Sequence, residues 1–333
     1  MENLECERIV HLDCGRKYFS VEEIKSLIDI CAQGNVSMIE LSIGNDGLRF
    51  LLDDMSVLSY SSEQIKAGIH LGNEEYSDFP VDELIEMEMD EIITYAHSNN
   101  INIIPLINTP GHMDSILSSM EYCGIQNANY SNSVRTMDLS NKEAVDFSMA
   151  LLEKYVSYFS GKRCTYFNIG ADEYANDIHM GFGQLIKKDL YGKFTDYVNN
   201  CGKLVKSYNM IPMVFNDGIY YNNRTDFGTF DSNLVICYWT NGGFGNYPCS
   251  AKQLEEYGFS LINTNSDYYW VLGNSRWQCD VEKMKRFNVT QFKGSTISQP
   301  FGAMYCIWCD DPKADSGVNV IRQNQEVILE FGK

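Results

Sequence analysis

Short runs of apolar, β-branched and aromatic residues alternate along the chain with longer stretches whose apolar positions recur every three to four residues. RIVHLD (8–13), VSMIELSI (36–43), NIIPLIN (102–108), TYFNIG (165–170), MIPMVFN (210–216), LVICYW (234–239), FSLINTN (259–265) and AMYCIW (303–308) read as strands. VEEIKSLIDICAQ (21–33), VDELIEMEMDEIITYAHSN (81–99), NKEAVDFSMALLEKYVSYF (141–159) and VNVIRQNQEVILEF (318–331) read as helices. The segment 184–209 reads as mostly helix, with an interruption expected at Gly192. Ser20 and Glu23 form a capping box before the first helix, and Pro80 marks the start of the second. Strands that alternate with helices imply parallel βα units. Eight of them within 333 residues is the count of a single (β/α)8 TIM barrel spanning 1–333. An open doubly wound sheet is the alternative, but no glycine-rich loop follows the first strand. No linker rich in Pro, Gly or Ser divides the chain.

In such a barrel the active site lies at the carboxyl ends of the strands. Those ends carry Asp13 and Arg16, Asn45-Asp46, His112, Asp172-Glu173, Asn216-Asp217, Trp239, Tyr268-Tyr269, and Trp308 with Asp310. Most are polar or aromatic. The aromatic share of 13% suits a sugar-binding cleft as well as a core. With 26 basic and 45 acidic side chains the formal charge is −19, which would repel nucleic acid and anionic membrane surfaces but not a neutral ligand. No stretch is long and apolar enough for a transmembrane helix. The eleven cysteines are scattered and odd in number, and several fall inside strands. They read as free thiols, and the one C-x-x-C, Cys306 to Cys309, lacks a second pair or nearby His. No metal and no cofactor are therefore expected. With no basic segment leading into an apolar run at the start, the thiols point to a cytoplasmic location.

The central question is why two carboxylates follow the apolar run TYFNI. An Asp-Glu pair is most often a solvated turn. The glycine and apolar strand before this one allow a second reading, two acids delivered into a pocket. Glycoside hydrolysis needs a protonated acid at the glycosidic oxygen and a second group at the anomeric carbon. Adjacent residues usually point apart on a strand, which weighs against both reaching one bond as acid and nucleophile. They could act together if a 2-acetamido oxygen of the substrate were the nucleophile. His112, fixed by the turn PGH, is suited to proton handling, or is structural. Arg16 could grip vicinal hydroxyls, or form a surface ion pair. Trp239 and Trp308 could stack on a sugar or plug the barrel rim. Asp310 could accept from hydroxyls or be a solvated loop acid.

Asp13-x-x-Arg16, the PGH turn at 110–112, the I-G-x-D-E run ending at Glu173, and the strand-end tryptophans together resemble glycoside hydrolase family 20, the β-N-acetylhexosaminidases. The resemblance spans Leu12 to Asp310 in the family's order. It implies a retaining exo-β-N-acetylglucosaminidase acting on terminal β-linked GlcNAc, with GalNAc as a second candidate sugar, through an oxazolinium intermediate. Asp172 would hold the acetamide N–H and Glu173 would be the acid and then the base. Arg16 would hold O3 and O4, Asp310 would bind O4 or O6, and Tyr269, with Tyr268 as the alternative, would bond the acetamide oxygen. Trp239 and Trp308 would wall the pocket, with Asn216 and Asp217 among the substrate-binding residues. His112 would support Glu173. Asn45 stands where much of the family has the Asp that backs this His, which leaves the backing of His112 open. Phe215 stands where a Trp often lines the acetamide pocket. Strand one begins near residue 8, so no preceding accessory domain is expected and the pocket should be open. Two other readings remain: a barrel that binds glycans without cutting them, and an enzyme of the same mechanism with another preference, GalNAc-specific or disaccharide-releasing.

Overall fold

The computed structural model describes residues 6–74, 82–178, 181–243 and 247–333. Eight strands run β1 Glu7–Leu12, β2 Met38–Asn45, β3 Asn102–Thr109, β4 Tyr166–Gly170, β5 Ile211–Phe215, β6 Val235–Tyr238, β7 Ser260–Asn263 and β8 Gly302–Trp308. Each pairs in parallel with its chain neighbours, and β1 pairs with both β2 and β8, which closes the sheet into the expected (β/α)8 barrel.

Alternation along the strands sorts the side chains into two cores. Inward positions such as Ile9, Met38, Ile104, Met213, Ile262 and Met304 fill the barrel. Outward positions such as Val10, Ile39, Ile103, Phe167 and Val214 pack under the helices. Each large apolar side chain removed from water in this way stabilises the fold by roughly 1.5–3 kcal/mol.

The first helix, α1 Val21–Gln33, carries the expected capping box: the Glu23 amide donates to the Ser20 hydroxyl at 3.4 Å and the Ser20 amide to the Glu23 carboxylate at 2.8 Å. Four helices escape the sequence reading, and the longer two are α2 Ser62–Asn73 and α4 Asp114–Tyr122. Glycine inside a helix costs about 1 kcal/mol, so SEQIKAGIHLGN reads poorly as helix. Here the glycines let α2 lie against α4. A Cβ at Gly68 would sit 2.4 Å from the Ser119 Cα, and one at Gly72 2.4 Å from the Ser115 Cα.

The acidic helix expected over 81–99 is α3 Glu86–Ser98. Leu84–Ile85 pairs instead with Phe50–Leu51 as a short parallel bridge. Pro80 and Val81 lie outside the described residues. The helix over 141–159 is α5 Lys142–Gly161. The segment 184–209 divides into α6 Gly181–Lys187 and α7 Tyr191–Ser207. The break falls not at Gly192 but before α7, where Asp189 takes a left-handed φ of 57°, a conformation Asp tolerates better than most residues. The shorter α8 Ala251–Glu256 and α9 Val281–Met284 precede the closing helix α10 Gly317–Phe331. All eleven cysteines are free thiols. Among the described residues no helix is long and apolar enough to cross a membrane.

Candidate active site

A pocket opens at the carboxyl ends of the strands, lined by Arg16, Asn45, His112, Asp172, Glu173, Phe215, Trp239, Ser266, Tyr269, Val271, Trp277, Trp308 and Asp310. It is acidic and cationic on one side and aromatic on the other.

The acid pair stands just past β4. Gly170 (φ 70°), Ala171 (φ 65°) and Glu173 (φ 49°) all adopt left-handed backbone. A Cβ at Gly170 would lie 2.1 Å from the Asn108 Oδ1, so only glycine lets Asn108 approach. Asn108 uses that approach fully: its Oδ1 accepts from the Ala171 amide at 3.2 Å and its Nδ2 donates to Asp172 Oδ1 at 2.7 Å and to Asn45 Oδ1 at 3.3 Å. Asp172 is thus aimed by a buried amide. The Asp172 side chain is 12% exposed and that of Glu173 36%. Neighbours in sequence, they occupy different depths: one faces the inside of the pocket and one its mouth. Non-glycine left-handed residues cost on the order of 1 kcal/mol each, and Asp46 (φ 58°) and His112 (φ 52°) add two more at neighbouring strand ends.

His112 connects the acids to the cationic side. Its Nε2 lies 3.3 Å from Glu173 Oε2 and 3.8 Å from Asp172 Oδ2. Its Nδ1 lies 2.8 Å from Asp46 Oδ1. The missing carboxylate at Asn45 is therefore supplied by the next residue. The left-handed turn at Asp46, whose backbone N–H donates to the His112 carbonyl at 2.7 Å, brings the side chain round to the ring. The other oxygen of Asp46 accepts from Arg16 Nε at 2.7 Å. Arg16 also donates to Asp13 at 3.1 Å and to Asp310 at 3.3 Å. Asp13 in turn accepts from the Cys309 amide at 3.1 Å, which ties β1 to the loop after β8. Arg16 is thus no loose surface ion pair but a clamp held in three directions.

These contacts set the charges. Burial would lower Arg16, but Asp46, Asp13 and Asp310 outweigh it and hold the guanidinium well above its usual value. Burial would raise Asp46, yet Arg16 and His112 hold it well below the usual carboxylate range. Burial would lower His112, and Asp46 with the acid pair raises it instead. Burial raises Asp172 against the pull of His112. Burial would raise Glu173 too, but its hydrogen bond to His112 and the charge of that ring lower it. Burial raises Asp310, with Arg16 opposing.

The aromatic side is held as firmly. Trp308 packs 5.9 Å from Tyr269 and 6.1 Å from Phe215 between ring centroids, and Arg16 lies 6.0 Å from its ring. Trp239 is fixed by its amide to Asn216 Oδ1 at 2.8 Å and by its indole N–H to Asp217 Oδ1 at 3.1 Å. Asp217 Oδ2 accepts from the Glu173 amide at 2.8 Å, so one carboxylate orients both the acid and the indole. Burial and the nearby Asp172 push Asp217 up to about 8.

Three expectations need correction. Asn216 and Asp217 do not line the pocket; they stand behind it as supports, because both are drawn inward by backbone and indole N–H groups. Tyr268 is turned away: its hydroxyl donates to the Arg286 carbonyl at 3.2 Å and its ring packs on Phe287. Tyr269 is the tyrosine in the pocket. Nor do cysteines exhaust the candidate ligand clusters, since His112, Asp172 and Glu173 bring donor atoms within 4.8 Å of one another. Their partners, an imidazole backed by a carboxylate and two acids of different depth, suit proton transfer, and no metal role is assigned to them.

The reading of the sequence missed Asn108, Ser266, Val271 and Trp277. Asn108 had a signal, as the last inward position of β3. Trp277 had none. It reaches the pocket because its carbonyl accepts from the Val271 amide at 2.8 Å, folding the loop back.

Paired carboxylates beneath an aromatic wall, at the carboxyl end of a barrel, define the class: the catalytic domain of a glycoside hydrolase. Comparison with known proteins fixes the family. Residues 8–310 match the model of glycosyl hydrolase family 20, catalytic domain, and the chain belongs to that family. It is similar to a solved structure of the pneumococcal virulence factor StrH, with 37% identity and a TM-score of 0.93 over 100% of this chain and 85% of that one. A second structure, from the tandem catalytic modules of the pneumococcal exo-β-D-N-acetylglucosaminidase StrH, matches at 37% identity and a TM-score of 0.92, covering 99% of this chain and 83% of that one. A lacto-N-biosidase of Bifidobacterium bifidum is 26% identical over 242 residues, 67% of this chain and 21% of that protein. The chain thus spans about a fifth of that relative's length. Dispersin B, at 18% identity and a TM-score of 0.75 over 98% of both chains, shares the fold.

Proposed function

We propose that the chain is a retaining exo-β-N-acetylglucosaminidase that removes terminal β-linked GlcNAc from oligosaccharides with help from the substrate's own acetamide. The observation that carries this reading is the difference in depth between Asp172 and Glu173. Asp172, aimed by Asn108, accepts the acetamide N–H and turns the carbonyl oxygen toward the anomeric carbon. Glu173, at the mouth, gives its proton to the glycosidic oxygen. The C–O bond to the aglycone breaks as the acetamide oxygen bonds to the anomeric carbon, forming an oxazolinium whose positive charge Asp172 balances. Glu173, now ionised, takes a proton from water, which attacks the anomeric carbon and reopens the ring with net retention. Arg16, locked by Asp46, Asp13 and Asp310, reads the O3 and O4 hydroxyls, and Asp310 reads O4 or O6. Tyr269 faces the acetamide, while Trp308 and Trp239 flank the sugar. Half-exposed Trp277 stands at the rim, where the aglycone leaves.

In the free pocket the acids are poised opposite to these roles, with Asp172 raised and Glu173 lowered. Sugar binding reverses the order. An acetamide N–H donated to Asp172 stabilises its ionised form, and an aglycone over Glu173 removes water and favours the neutral acid. A proton on the pair then rests on Glu173.

The StrH modules, studied for N-glycan recognition and hydrolysis, support GlcNAc as the sugar. The lacto-N-biosidase keeps a disaccharide-releasing relative in view. Release of 4-nitrophenol from the β-GlcNAc, β-GalNAc and disaccharide glycosides tests the choice, with Glu173→Gln beside wild type. Cleavage of the GlcNAc glycoside that Glu173→Gln loses is expected. Binding of GlcNAc without release by folded wild type would make the chain a glycan-binding barrel instead.

A further inference from the structure

Beneath the pocket the barrel interior holds a polar chain that the proposed mechanism does not use. His11, on β1, and Glu40, on β2, are both fully buried. His11 Nδ1 lies 2.8 Å from Glu40 Oε1. The other oxygen, Glu40 Oε2, accepts from Asn168 Nδ2 at 2.8 Å, on β4. Asn168 Oδ1 accepts from the Gly170 amide at 2.9 Å. At its other end the chain touches the pocket, because the His11 ring packs on Trp308 with centroids 4.1 Å apart and a tilt of 45°. The His11 Nε2 has no hydrogen-bond partner among the described residues.

A purely structural reading fits poorly. The remaining inward positions at this level include Ile104, Met213 and Val235, and apolar residues would fill the space. Replacing even a buried ion pair by apolar residues of similar volume is often neutral or stabilising, so stability is a weak reason to keep a buried polar pair. What the chain does have is two functional ends. One is the indole that flanks the sugar. The other is Gly170, two residues before Asp172, whose left-handed turn directs the acid pair.

We propose that His11, Glu40 and Asn168 form a positioning network that holds Trp308 and the Asp172-Glu173 strand end in one register across the barrel. His11 sets the plane of Trp308 from below. Glu40 ties that ring to Asn168, and Asn168 pins the Gly170 amide so that β4 ends at a fixed height. A hydrophobic filling would leave each end free to shift by a few tenths of an ångström, and misplacement by about 1 Å can cost on the order of a hundredfold in rate. This inference rests on the hydrolase reading above.

The test uses the full chain with the double variant His11→Phe/Glu40→Leu, which refills the core with apolar groups, and the near-isosteric Glu40→Gln as the second variant should the first fail to fold. Three quantities are compared with wild type: Tm, kcat on the 4-nitrophenyl β-GlcNAc glycoside, and affinities for GlcNAc and for its fused thiazoline, a stable analogue of the oxazolinium. The expected result is a retained or raised Tm with kcat and thiazoline affinity down about tenfold or more, and GlcNAc affinity little changed. A folded variant with wild-type kcat and thiazoline affinity would overturn the proposal. So would equal losses for GlcNAc and the thiazoline, which mark a loosened pocket. Wild type that neither cleaves the glycoside nor binds the thiazoline would overturn the hydrolase reading, and this inference with it.

Discussion

Asp172→Asn isolates the step in which the acetamide is aimed. In the wild type the carboxylate accepts from Asn108 Nδ2 at 2.7 Å and has its other oxygen, 3.8 Å from His112 Nε2, turned to the pocket. Asparagine keeps one oxygen. If that oxygen stays with Asn108, the new amide presents N–H to the acetamide N–H, donor against donor. If it turns to the acetamide, two amide groups face each other at the Asn108 contact. Either way one buried donor is left unpaired, at about 1–3 kcal/mol. The hydrogen bond to a charged acceptor, roughly 1.5–3 kcal/mol, is also lost just where positive charge develops. Together these raise the barrier by about 3–6 kcal/mol, or a factor of about 10² to 10⁴ in kcat. The assay is steady-state turnover of the 4-nitrophenyl β-GlcNAc glycoside, with KM and Tm recorded beside it. Asn108→Ala, which frees Asp172 without removing its charge, should lose less. Wild-type kcat in Asp172→Asn would refute the reasoning.

Other outcomes follow from the same geometry. Arg16→Lys replaces a guanidinium that reaches Asp46, Asp13 and Asp310 by a single ammonium, so the loss of roughly 2–4 kcal/mol should appear mainly as a higher KM, read from saturation curves. His112→Asn removes the positive neighbour that lowers Glu173 and opposes the rise of Asp172, so both limbs of the kcat/KM profile should move to higher pH; a shift to lower pH would contradict the assigned charges. Asp217 is raised to about 8 in the folded state, so its proton favours folding below the ordinary carboxylate range and that stability is lost as pH rises to about 8. Asp217→Asn has no proton to lose but can accept only one of the two N–H groups, so its Tm should lie below wild type at pH 5 and the gap should narrow by pH 9.

The barrel was legible because its signals are local. Eight short apolar runs and the helices between them carry their periods in the sequence, and the rule that chemistry gathers at strand ends then selects Arg16, His112, Asp172, Glu173, Trp308 and Asp310. The helices α2 and α4 were not legible, because their stability comes from each other through Gly68 and Gly72 rather than from propensity. The backing of His112 stays open in the sequence for a related reason. Sequence position pointed to Asn45, but a left-handed turn hands the task to Asp46, and backbone handedness at one residue does not appear in composition. Asn216 and Asp217 look like ligands in the sequence and act as supports in the fold, since polar residues at a strand end can face the pocket or the backbone behind it. Trp277 comes from a loop whose return path no local pattern records.

The central claim is that the nucleophile is the substrate's acetamide oxygen, held by Asp172. It is tested most directly by measuring kcat/KM of the wild type on 4-nitrophenyl β-glycosides whose N-acetyl group carries none, one, two or three fluorines. Each fluorine weakens the acyl oxygen as a nucleophile while changing the shape little. A steep, monotonic fall in kcat/KM across the series is the predicted result. A flat series would mean that a group of the protein or a water attacks the anomeric carbon, and that the two acids at the end of β4 do something other than aim and protonate.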